Sequence, residues 1–100
     1  MTYAELVAAL HIFGYSERDR LTASQIRRRH RELVKANHPD RRQGETEEPM
    51  RKINAAAALL KEYLDSYRVS FAEDEFYFQN PDELLRRQFL NDPVWGGAPR

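Results

Sequence analysis

The sequence predicts an all-α protein built around one small core. Three observations lead there. Apolar residues recur at spacings of three and four along four segments. Two of those segments open with Thr followed three residues later by Glu or Gln, the pattern of a capping box. No segment reads as a strand. With 100 residues the chain lies at the low end of domain size. It has room for a single core, not for a two-lobed enzyme or a separate cofactor domain.

The first helix is expected from Thr2 to about Leu10. Thr2 and Glu5 supply the capping box, and Tyr3, Leu6, Val7 and Leu10 form one apolar stripe. Gly14 is the first strong stop. Residues 11–21 read as a polar connector with an apolar start, in which Ile12, Phe13 and Tyr15 tuck against the core. The second helix begins at Thr22, with Gln25 completing its capping box, and runs to about Asn37. Pro39 ends it, because the residue before a proline is pushed out of the helical region. After a loop from His38 to about Glu48, the third helix opens near Pro49, a residue tolerated in a first turn. Glu45, Glu47 and Glu48 suit its positive end. Met50, Ile53, Ala57, Leu60 and Leu64 mark its apolar face, and it is expected to end near Tyr67 or Arg68. The fourth helix starts at Asn80-Pro81-Asp82-Glu83, an N-cap followed by Pro at N1 and acids in the first turn. Leu84, Leu85, Phe89 and Leu90 form its apolar face, and residues 91–100 read as irregular.

Charge is balanced overall and uneven along the chain. Sixteen Lys and Arg offset sixteen Asp and Glu, which excludes a chain-wide basic field for coating nucleic acid. From Arg18 to Arg42, however, nine Lys/Arg stand against three Asp/Glu, a local net of +6. From Phe71 to Asp92 two stand against six, a local net of −4. At roughly 100° per residue, Ile26, His30, Leu33, Val34 and Asn37 fall on one face of the second helix. Arg27, Arg31 and Lys35 form an i, i+4, i+8 row on another face, with Arg28 beside it. Like charges at this spacing repel by about a few tenths of a kcal/mol per pair. A regular helix that carries this cost fits an acidic partner surface.

His38-Pro39-Asp40 follows the basic row directly. In this context the chain resembles the J domain of DnaJ-type co-chaperones. The matching string is QIRRRHRELVKANHPDRR, then a loop, then MRKINAAAALLKEYL. The resemblance covers about residues 2–68. It implies a J-domain-like antiparallel helical hairpin with a short N-terminal helix before it, here followed by an additional C-terminal helix. Ile26 and Leu33 match apolar core positions of the second helix, and Met50, Ile53, Ala56 and Leu60 those of the third. The implied partner is the ATPase domain of a DnaK-type chaperone, whose ATP hydrolysis a J domain accelerates. The implied contact residues are Arg27, Arg28, Arg31, Lys35, His38, Pro39, Asp40 and Arg41. The basic row would steer the encounter, and Asp40 would pair with an arginine of the partner. The chain departs from the family's usual pattern at His30, Glu32 and Ala57, in a longer connector before the second helix, and in lacking a basic motif at the domain's end.

Residues 1–70 are thus read as the J domain and 71–100 as an acidic, aromatic extension carrying the additional helix. Its aromatics are expected to pack that helix onto the long helical pair. Competing readings are that Glu73-Asp74-Glu75 fold over the basic row and compete with the partner, or that Val94 and Trp95 form a docking tag for a client or targeting protein. No enzymatic activity is expected: there is no cysteine, no nucleophile elbow and no phosphate-binding glycine loop. No metal or other cofactor is expected, since His11, His30 and His38 show no paired spacing. Without an apolar run of about 20 residues or a basic N-terminal signal region, the chain is expected to be a cytoplasmic monomer that binds neither membrane nor nucleic acid. Two alternatives belong to other classes. One is a J-like interaction scaffold without ATPase stimulation. The other is a helical nucleic-acid-binding domain, which zero net charge and Glu32 disfavour.

Overall fold

The computed structural model describes residues 1–38 and 47–90. These are all-helical, with five helices and no strand: α1 (Tyr3–Ile12), α2 (Ala23–Asn37), α3 (Glu48–Asp65), α4 (Glu73–Gln79) and α5 (Pro81–Leu90). They divide into two compact units, Met1–Tyr67 and the chain from Arg68 onward.

In the first unit α1 and α2 each pack against α3. Both expected capping boxes form. Thr2 Oγ1 accepts from the Glu5 amide at 3.1 Å while Glu5 Oε1 accepts from the Thr2 amide at 2.7 Å. Thr22 and Gln25 repeat the arrangement at 3.1 and 2.7 Å. Each box satisfies two backbone donors that a helix start would otherwise leave unpaired.

α1 runs two residues past Leu10 and ends in a Schellman turn. Gly14 adopts φ +82°. Its amide donates to the His11 carbonyl and that of Tyr15 to the Leu10 carbonyl, both at 3.0 Å. Phe13, just past the helix, is 1 % exposed and is the largest fully buried side chain among the described residues. Two apolar assignments are corrected here. The inward face of α1 is centred on Ala9, with Leu6 and Leu10 beside it. Tyr3, six residues before Ala9 and so about 120° around the helix, is 70 % exposed. Ile12, one residue and about 100° from Phe13, is exposed as well.

Ala9, Phe13, Ile26, Ile53, Ala56 and Leu60 form the buried core, with Tyr15, Leu33, Val34 and Met50 among the partly buried residues against it. On α3 the buried set Ile53, Ala56 and Leu60 follows the helical period. This helix stops at Asp65, slightly before the expected end, where Ser66 Oγ donates to the Glu62 carbonyl at 2.9 Å.

Among the described residues the second unit holds two helices, α4 and α5, where the sequence suggests one. FAEDEFYFQ contains α4, whose first turn is the acidic run Glu73-Asp74-Glu75. α4 and α5 pack against each other, and Arg87 of α5 reaches back to α4. Its guanidinium lies 3.4 Å from Glu73 and 5.6 Å from the centre of the Tyr77 ring. The hydrogen bond to the Tyr77 oxygen first, and then the Glu73 carboxylate, raise the Arg87 pKa above its ordinary value. Asn80 is the joint between the two helices. Its side-chain amide, expected to serve the start of the following helix, instead donates to the Phe76 carbonyl of α4 at 2.9 Å. Its own carbonyl accepts from the Glu83 amide at 3.0 Å. Leu84, Leu85 and Leu90 of α5 are exposed.

Candidate functional site

α2 has two distinct faces. Ile26 is buried, and His30, Leu33, Val34 and Asn37 are partly buried, as the spacing predicts. Arg27, Arg28, Arg31 and Lys35 are exposed. The row from Arg27 to Lys35 spans eight residues, about 12 Å along the helix. None of these four cations forms an ion pair among the described residues. Glu32, the one acid on this helix, pairs at 3.7 Å with Arg29. Among the described residues the row therefore has no acid paired to it, although one sits in the middle of the sequence that carries it.

The helix ends where the proline rule places its end. Asn37 is its last residue, and its side-chain amide donates to the Leu33 carbonyl at 2.9 Å. His38 is extended, with φ −62° and ψ 138°, and exposed. It therefore continues from the C-terminal end of the basic row, where the negative end of the helix dipole favours cations such as Lys35. Pro39, Asp40 and Arg41 lie outside the described residues.

The inward side of α2 is fixed by contacts that the sequence only partly shows. His30, on the same face as Ile26 and Leu33, stacks on Phe13 with ring centres 6.0 Å apart and planes at 25°. Its Nε2 lies 3.3 Å from Asn54 Oδ1 on α3. Arg29 places its guanidinium carbon 5.1 Å from the centre of the Tyr15 ring. Arg29 was absent from the expected inward face. Its position three residues after Ile26 and four before Leu33 was the available signal.

Among the described residues, no group of His, Asp and Glu is arranged to hold a metal ion. No described helix is long and apolar enough to cross a membrane. Comparison of the chain with models of known protein families, with curated proteins and with solved structures gave no significant match.

Proposed function

We propose that the chain is a J-domain co-chaperone that binds a DnaK-type ATPase and stimulates its ATP hydrolysis. In this reading α2, the connection after it and α3 form the antiparallel hairpin of that fold, with α1 as its short first helix. The observation that carries it is the exposed basic row Arg27, Arg31 and Lys35, with Arg28 beside it, on a helix that is followed directly in sequence by His38-Pro39-Asp40. The row supplies long-range attraction to an acidic surface and speeds the encounter. The tripeptide supplies the short-range contact: Pro39 fixes the exit direction, and Asp40 offers a carboxylate to a cation of the partner. The chemistry of hydrolysis belongs to the partner. This chain contributes by binding one conformation of the partner more tightly than another, which is the only way a ligand can shift that equilibrium.

Single-turnover ATP hydrolysis by a DnaK-type chaperone of the same organism tests this directly. The parent protein should accelerate hydrolysis, and His38→Gln and Asp40→Asn should not. A charge-assisted hydrogen bond contributes about 1.5–3 kcal/mol, so Asp40→Asn alone should weaken the interaction roughly 10- to 150-fold. A folded parent protein that leaves the rate unchanged would overturn the proposal.

A further inference from the structure

Arg29 stands inside the run Arg27-Arg28-Arg29-His30-Arg31 and is unlike the other arginines of the run. They are exposed, whereas it is partly buried. Its Nε is buried and has no hydrogen-bond acceptor among the described residues. Its guanidinium is taken up by the Tyr15 ring at 5.1 Å and Glu32 at 3.7 Å. Tyr15 is itself held in place, since its amide closes the Schellman turn on Leu10 at 3.0 Å and its side chain packs against the core. The neighbouring residue repeats the pattern, because His30 stacks on Phe13 of the same turn and meets Asn54 of α3. Two consecutive residues of α2 therefore grip the turn that follows α1. A helix held at one point along its length cannot rotate about its axis without breaking that grip. A rotation of about 20° would carry charged side-chain tips by about 2 Å, given the radius of a helix with its side chains.

We propose that Arg29 is a positioning residue: through the Tyr15 ring it sets the rotation of α2 and hence the aim of Arg27, Arg31 and Lys35, without touching the partner itself. The functional half of this inference rests on the co-chaperone reading; the structural half does not. A cation–π contact at an exposed to half-buried site has an effect of about two- to fivefold on an equilibrium.

The experiment is a double-mutant cycle in the full chain with Arg29→Gln, Tyr15→Leu and the pair together. Arg31→Gln serves as the contact control and Tyr15→Phe as the conservative replacement that keeps the ring. Half-maximal concentration for ATPase stimulation is measured at several salt concentrations, well below the unfolding temperature of every variant. Arg29→Gln and Tyr15→Leu should each raise it about two- to fivefold, the pair should be no worse than either, and Tyr15→Phe should match the parent. Their salt dependence should stay that of the parent, whereas Arg31→Gln should flatten it by removing a charge that the partner reads. If Arg29→Gln weakens stimulation and flattens the salt dependence while Tyr15→Leu changes nothing, Arg29 is a contact and the inference is wrong. If the parent stimulates no ATPase, the co-chaperone reading falls. The positioning role is then decided by amide chemical shifts. Arg29→Gln and Tyr15→Leu should move the amides of Arg27, Arg31 and Lys35 alike, and unrelated shifts would overturn it.

Discussion

Gly14 closes α1 at a φ of +82°, where side chains with a Cβ are strained. A Cβ built there would meet no atom within 4 Å, so substitution brings no clash and its cost is that of the backbone alone. Gly14→Ala should therefore cost about 1–2 kcal/mol. In a small domain this lowers the unfolding temperature by roughly 4–15 °C. Gly14→Asn should cost less, since Asn enters the left-handed region more readily. Calorimetry of the three proteins measures this, and an alanine variant as stable as the parent would contradict the turn. Gly14 was legible as a stop from residue type alone. The burial of neighbouring Phe13 and the exposure of Ile12 were harder to separate. Both are large and apolar, and which one enters the core depends on the phase of a helix that ends between them.

The helix starts were the most legible elements, because a capping box is a local pattern with a local cause. The two boxes differ in one respect with a measurable result. Glu5 titrates and Gln25 does not. The Thr2 amide and then the Thr2 hydroxyl hold the Glu5 carboxyl below its ordinary pKa, so its ionised form favours the folded cap. The contribution is complete above the ordinary glutamate range and is lost as pH falls through the lowered value. On acidification, the Thr2 and Glu5 amides should shift and exchange faster, while Thr22 and Gln25 stay unchanged. Glu5→Gln should abolish the difference, and nuclear magnetic resonance across a pH series reads it directly. Parallel movement at both caps would show that something other than Glu5 is titrating. α4 escaped the sequence reading for the opposite reason. Seven residues are too few to show a helical period, and aromatics rank low in helix propensity. What supports α4 is its packing on α5, including the Arg87 contacts, and these cross sixteen or fewer residues without any local signature. Asn80 shows the same limit, since its type marks a helix boundary but not which of two helices its side chain will serve.

At the scale of the whole molecule, the inward and outward faces of α2 were legible because 3.6-residue periodicity orders both at once. Arg29 was not, because a cation on the rim of an apolar face can point either way, and here the ring of Tyr15 decides it. The chain divides into its two compact units between Tyr67 and Arg68. Between Ser66 and α4, the amides of Arg68, Val69, Ser70 and Phe71 donate no hydrogen bond among the described residues. Val69 and Phe71 are 66 % and 94 % exposed. Two other described arginines lie in irregular chain. Arg18 sits in a turn where its amide donates to Ser16 Oγ at 3.1 Å and the Asp19 amide donates to the Ser16 carbonyl at 3.1 Å. Arg20 is followed by Leu21 packed on the core and by Thr22, whose amide is held by Gln25. Among the described residues, then, trypsin should cut first after Arg68, which mass spectrometry of a brief digest would show. A first cut elsewhere in the described chain would contradict this. Such a nick turns a neutral protein into two ions. Residues 1–68 carry thirteen Lys/Arg and ten Asp/Glu, a net of +3, and residues 69–100 carry three and six, a net of −3. On an ion exchanger the two pieces should part into opposite fractions.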